Sequence, residues 1–172
     1  MKTILKGAVL LFIVMMALSI ISCIKAVDTE LFVHKSPDFT LTVPKWIDLK
    51  SQDPNNILKR KPELGAATSL EVKVHDLRAS MTYQDVPPIF KKVLETLWEG
   101  SDVKILYERE IKLKDGTPAY EFEVKWRNGI WPLRTYSIIV FKDKKIILVN
   151  TTTLLRVGDN LKQYPLSLTL KQ

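Results

Sequence analysis

The chain has 172 residues, 46% of them hydrophobic, with 26 Lys and Arg against 19 Asp and Glu for a formal net charge of +7. That length allows one ordinary domain with a real core, and the single cysteine excludes a fold stapled by internal disulfides. The positive excess is too small and too dispersed for a nucleic-acid-binding protein, whose basic residues cluster on one face.

In chain order, the first element is a secretory signal. Lys2 and Lys6 supply a positive start, residues 8–18 an uninterrupted apolar run, and Ser19 and Ser22 the small residues before a cut. Ile20-Ile21-Ser22-Cys23 resembles the bacterial lipobox, in which an aliphatic and a small residue precede an obligatory cysteine. The resemblance implies a bacterial lipoprotein, cleaved before Cys23, with membrane lipid attached through its acylated sulfur. Two other readings fit the same residues. The 18 uncharged residues 7–24 are long enough for an uncleaved spanning anchor, and plain secretion would leave Cys23 as a free thiol. All three export the remaining chain. In a bacterium with two membranes, Ile24 in place of Asp after the cysteine resembles lipoproteins that move on to the outer membrane.

Removal of residues 1–22 leaves 150 residues with a net charge of +5. Residues 23–31 show no apolar periodicity and are expected to be a tether, with a single folded domain over residues 32–172. Phe39, Leu41 and Val43 alternate with Thr40 and Thr42, which predicts a half-buried strand closed by Pro44. A turn-rich stretch over residues 50–56 precedes a short strand through Ile57-Leu58-Lys59. After a turn at residues 62–65, Leu70, Val72 and Val74 alternate again as the inward side of a strand.

Val86, Ile89, Phe90, Val93, Leu94 and Leu97 recur at helical spacing. Asp85 is the expected N-cap, Pro87 and Pro88 fall in the first turn, and Gly100 is the expected end. Four alternating runs follow, at about residues 104–112, 119–127, 133–142 and 145–153. Between them stand Asp115-Gly116, Asn128-Gly129 and Asp143-Lys144, which suit tight hairpins and predict a four-stranded antiparallel meander. In its second strand Tyr120, Phe122, Val124 and Trp126 share one face. Glu121, Glu123, Lys125 and Arg127 share the other, expected to be exposed, its mixed charges suggesting cross-strand salt bridges. A short helix near residues 159–164 and a strand through Leu166, Leu168 and Leu170 close the chain.

This order describes an α+β domain: an antiparallel sheet of six to seven strands with helices packed on it. Phe39-Thr40-Leu41-Thr42-Val43-Pro44-Lys45-Trp46 resembles the opening of the PsbP/Mog1-like family, with Trp46 one place nearer the proline than in that pattern. The helix, the meander with Gly116-Thr117-Pro118-Ala119-Tyr120, and the closing elements fit the same plan. The resemblance implies an α/β/α-type sandwich used for binding or assembly.

Chemistry is sparse. His34 and His75 are isolated, with no neighbours at metal-ligand spacing, and no G-x-S-x-G, P-loop or G-x-G-x-x-G motif occurs. No metal or cofactor is expected. Glu121, Glu123 and His75 are the only residues worth weighing for a hydrolase. The candidate binding surface comprises Trp126 and Trp131, flanking a hairpin turn, and the basic run Lys59-Arg60-Lys61, which suits anionic lipid headgroups. A cell-envelope lipoprotein acting as a non-catalytic module, with an envelope protein or ligand as its partner, is the function expected.

Overall fold

The computed structural model describes residues 27–63, 67–78, 81–97, 102–154 and 159–170. The signal segment, Cys23 and Gly100 lie outside these residues. The strands are β1 (Thr29–Lys35), β2 (Asp38–Pro44), β3 (Ile47–Asp48), β4 (Asn56–Lys61), β5 (Ser69–Asp76), β6 (Lys104–Lys112), β7 (Pro118–Asn128), β8 (Trp131–Lys142), β9 (Lys145–Leu154) and β10 (Thr169–Leu170). Helix α1 (Val86–Leu97) lies between β5 and β6, and short 3-10 turns occupy Tyr83–Asp85, Asp159–Gln163 and Pro165–Ser167.

A seven-stranded sheet runs in the order β3-β4-β5-β9-β8-β7-β6, and a three-stranded sheet in the order β1-β2-β10. Every strand pair is antiparallel. The meander β6 to β9 forms because its turns reverse the chain locally. Asp143 and Lys144 both take left-handed φ angles, +51° and +58°, and Gly116 sits at +83°. The β7–β8 turn is one residue later than its Asn-Gly pair suggests. Asn128 pairs with Trp131, so Gly129, at φ +57°, and Ile130 make the turn.

Alternation gives the large sheet two apolar faces, and each is covered. On one face α1 lays Val86 and Phe90 over Phe122 and Ile139, with the Phe90 and Phe122 rings edge to face at 5.1 Å. The helical stripe is wider than the surface it covers. Ile89 and Val93 remain 44% and 39% exposed, while the side chains of Leu94 and Leu97 lie outside those described. The start of the helical segment is also extended. Asp85 does not cap the helix itself but accepts from the Thr82 N–H at 2.6 Å and the Thr82 hydroxyl at 2.7 Å, holding the 3-10 turn that leads into α1.

On the other face β2 inserts Phe39, Leu41 and Val43 against Leu70, Val72, Ile138, Val140, Ile147 and Val149, and Tyr164 and Leu168 complete this larger core. Each such fully buried side chain contributes roughly 1.5–3 kcal/mol. The second covering layer is thus the small sheet with the C-terminal 3-10 turns. The segment expected as a helix near residues 159–164 is a 3-10 turn, and the closing strand shrinks to Thr169–Leu170. Pro165 explains the shortening, because it has no N–H to donate to a ladder; a second 3-10 turn forms there, and Ser167 Oγ donates to the Tyr164 carbonyl at 2.7 Å. β1 takes up Thr29 to Leu31, three residues of the stretch read as tether, by pairing with β2 from Pro44 to Thr42.

Candidate functional site

The densest polar chemistry among the described residues lies on β7, on the face away from α1. Glu121 and Glu123 are 3% and 2% exposed, which corrects the expectation of a solvated face. Alternation placed them correctly on one side of the strand. That side is buried because Tyr107 of β6, Tyr136 of β8 and Lys162 of the C-terminal turn close over it. The expected cross-strand salt bridges are present, made to Arg109 on β6 and Arg134 on β8. Residues two apart on a strand are farther from each other than cross-strand neighbours, so Glu121 pairs with Arg109, directly opposite on β6, and Arg127 reaches Asp102 at 3.6 Å.

All four carboxylate oxygens are engaged. Glu121 Oε1 accepts from the Tyr136 hydroxyl at 2.7 Å and the Tyr107 hydroxyl at 3.2 Å, and its Oε2 accepts from Arg109 Nε at 2.5 Å. Glu123 Oε1 pairs with Arg134 Nε at 2.9 Å, and Oε2 with Lys162 Nζ at 2.7 Å. Lys162 also donates to the Tyr107 hydroxyl at 3.2 Å and stands 5.4 Å from the centroids of both tyrosine rings. Burial opposes the charge on Glu121, yet the bonds from Arg109, Tyr136 and Tyr107 outweigh it and hold the carboxyl below its ordinary value. Burial, then contact with the glutamates, pushes the Tyr107 and Tyr136 hydroxyls far above their ordinary range. Both tyrosines stay protonated donors. Desolvating the charges costs several kcal/mol per ion, which largely offsets the attraction. The cluster therefore locks β6, β7, β8 and the C-terminal turn in register more than it adds stability.

His75 does not join this cluster. It lies on β5, three strands from β7, across from Ile146, on the face that α1 covers, and its pKa is lowered, chiefly by burial. The three residues weighed for a hydrolase thus share no cleft. His34 is also remote, stacked on Phe39 at 5.0 Å in the small sheet. No group of three potential metal ligands occurs among the described residues.

The basic run on β4 is divided by the pleat. Arg60 is 8% exposed and turns inward, bonding Asp48 at 2.6 Å, Glu30 at 2.7 Å and the Pro44 carbonyl at 2.9 Å. Lys59, on the other face, pairs with Glu71 at 2.6 Å. Lys59, Arg60 and Lys61 therefore form no continuous headgroup-binding patch, and Arg60 instead ties β4 to β1, β2 and β3. The two tryptophans separate as well. Trp126 is half-buried with its indole N–H on Thr135 Oγ1 at 2.9 Å, whereas Trp131 is 57% exposed at the hairpin end.

Sequence reasoning missed Tyr107, Arg109, Tyr136, Arg134 and Lys162. The first four were accessible from the hairpin registers, once the turns at Gly116 and Gly129 are fixed. Lys162 carried no local signal.

No family model matches this sequence, and no curated protein sequence matches it. Solved structures do. The solution structure of cyanobacterial PsbP (CyanoP) from Synechocystis sp. PCC 6803 is similar with a TM-score of 0.70 at 12% identity, over 87% of this chain and 96% of that one. The Saccharomyces cerevisiae Ran-binding protein Mog1p is similar with a TM-score of 0.51 at 13% identity, over 83% and 87%. The chain shares their fold. At such identities the likeness establishes the fold alone, and the seven-stranded antiparallel sheet expected from the sequence is present.

The titration of these groups sets how stability varies with pH. Glu121 and Asp115 have lowered folded values, Asp115 because backbone N–H bonds from Thr117 and Leu170 overcome its burial. Their stabilising contributions are complete above about pH 4.5 and are lost as pH falls through the lowered folded values. His75, also lowered, contributes stability that begins to fall as pH drops below its ordinary 6.5. The raised tyrosines contribute below their ordinary 10.0, a contribution lost at higher pH. Urea midpoints are expected to be highest between about pH 7 and pH 10, with the steepest acid loss below about pH 4.5. A maximum near pH 5 would contradict these assignments.

Proposed function

We propose that this protein is a non-catalytic binding or assembly module of the bacterial cell envelope, held at a membrane by lipid on Cys23. The observation that carries the non-catalytic part is the closure of the buried cluster. Every oxygen of Glu121 accepts a hydrogen bond from Tyr107, Arg109 or Tyr136, and each oxygen of Glu123 stands in an ion pair with Arg134 or Lys162. A general acid or base needs a free proton path to substrate, and these carboxylates are spent on holding strands together. The similarity in fold to a Ran-binding protein supports binding as a use of this architecture. The lipobox-like Ile20-Ile21-Ser22-Cys23 supports the membrane side of the proposal. The partner is an envelope protein or ligand, and no cofactor takes part.

The test is non-denaturing separation of native envelope extract after brief cross-linking of the full chain. The expected result is a discrete assembly larger than the monomer that also forms with Glu121→Gln, because that residue is structural. A protein that migrates only as a monomer, or that turns over a broad substrate panel above a heat-killed control, contradicts the proposal.

A further inference from the structure

The two ends of the seven-stranded sheet differ in what they expose. The β7–β8 turn presents Ile130, 81% exposed and the most exposed large apolar side chain among the described residues, beside Trp131 at 57%. Lys104, Lys125 and Arg127 lie at the same end, with Asp102 as the carboxylate paired to Arg127. The opposite end carries the β6–β7 and β8–β9 turns, where Lys112, Lys114, Lys142, Lys144 and Lys145 stand among Asp115, Asp143 and Asp76.

The path of β1 fixes which end faces the N-terminal attachment. Its turn into β2 lies against the β8–β9 turn, where Lys35, Asp38, Lys142 and Lys145 line one cleft. Its start is held to β4, next to the β3 edge of the sheet, by the Arg60 bonds to Glu30 and to the Pro44 carbonyl. Arg60 pairs with Leu70, Leu70 with Thr151, and Thr151 with Tyr136, a row six residues along β9 from Lys145. Traced backwards, β1 therefore heads toward the end that carries Ile130 and Trp131. The Asp28 carbonyl accepts from the Lys45 N–H at 2.8 Å, just beyond the end of β2, and Val27 is 46% exposed.

We propose that the β7–β8 turn is a second membrane contact, Ile130 and Trp131 entering the lipid interface on the end from which the chain departs toward Cys23. This rests on the membrane attachment proposed above. Five residues separate Cys23 from Thr29, so the six steps between them reach at most about 22 Å, and the turn lies only a few strand spacings of about 4.8 Å to the side of β4. A lipid on Cys23 therefore keeps this end of the sheet within reach of the bilayer. Tryptophan is suited to this position, since its indole joins an apolar body to a polar N–H and accumulates at membrane interfaces. Lys104, Lys125 and Arg127 suit anionic headgroups, but lysines stand at both ends, so the apolar tip and not the charge sets this end apart.

The experiment uses the full chain, purified from membranes with its N-terminus as the cell made it. It is reconstituted into phosphatidylethanolamine and phosphatidylglycerol vesicles whose acyl chains carry bromine, which quenches nearby indoles. The four tryptophans are Trp46, Trp98, Trp126 and Trp131. Most of the bromine-dependent quenching is expected to vanish in Trp131→Phe, to weaken in Ile130→Ser, and not to return when Lys114→Trp is added to Trp131→Phe at the opposite end. Quenching that survives Trp131→Phe, or that Lys114→Trp restores, overturns the orientation. The N-terminal mass of the same sample separates the two proposals. Lipid on Cys23 without quenching of Trp131 overturns the second contact and leaves the anchor standing. Quenching of Trp131 without lipid on Cys23 supports the contact and overturns the anchor.

Discussion

Replacing both cations that face Glu123, as Arg134→Met with Lys162→Met, is expected to destabilise the protein by roughly 3–5 kcal/mol, the cost of leaving a buried charge uncompensated. For a domain of this size that is a loss of roughly 6–20 °C in Tm. The side chains of Arg134 and Lys162 are 30% and 27% exposed, so water reaches the cations, whereas the Glu123 side chain is 3% exposed and depends on them. The asymmetry supplies a check. Adding Glu123→Gln to the doubly substituted chain removes the orphaned charge and should recover more than half of the loss. Glu123→Gln alone should cost less than the double substitution. Thermal unfolding of the four proteins decides the matter, and a double substitution that unfolds like the wild type would show that the cluster does not hold its charges as described.

The second large effect is Phe39→Ala. Phe39 is fully buried in the larger core, its ring 6.2 Å from Phe32 and 5.0 Å from His34. Truncating such a phenylalanine costs about 3–5 kcal/mol through lost transfer energy and the cavity left behind. Leu31→Ala, on the same small sheet but 64% exposed, should stay within about 0.5 kcal/mol. Urea unfolding measures both. Equal and small effects would mean that the three-stranded sheet is an appendage, whereas the structure makes β2 one wall of the core.

The parts of this fold that were legible in the sequence are those specified locally. Strands β6 to β9 were readable nearly to the residue because alternating runs meet at Asp115-Gly116, Asn128-Gly129 and Asp143-Lys144, whose backbone preferences reverse the chain without help from elsewhere. Helix α1 was readable from Val86 and Phe90. Alternation also told which side chains of β7 share a face, but not what covers that face. Glu121 and Glu123 were taken for solvated residues because their cover, Tyr136 and above all Lys162, arrives from later in the chain. Arg60 failed for the same reason, since its acceptors sit on β1, β2 and β3. The C-terminal turns were misjudged because burial of Tyr164 and Leu168, not periodicity, shapes that segment. A charged residue at an inward-facing position of a half-buried strand is therefore the signal most worth following here, as it marks where a distant segment must come to neutralise it.

The candidate binding surface was half legible. Trp126 and Trp131 flank the same turn and look equivalent in sequence, yet the pleat and the shifted turn send one toward Thr135 and leave the other at the tip. Only Trp131, together with Ile130, retains the exposure that a contact surface needs.

Membrane attachment is tested most directly by the mass of the mature N-terminus, compared between the wild type and Cys23→Ala expressed in a bacterium. A single acyl chain gives only marginal attachment at about 0.8 kcal/mol per buried CH₂, so stable anchoring takes at least two. The expected wild-type product begins at Cys23, carries a diacylglycerol on its sulfur and an acyl chain on its amino group, and sediments with membranes; Cys23→Ala carries no lipid mass. A wild-type protein that retains residues 1–22, or that begins at Cys23 with no lipid mass, contradicts the lipoprotein reading.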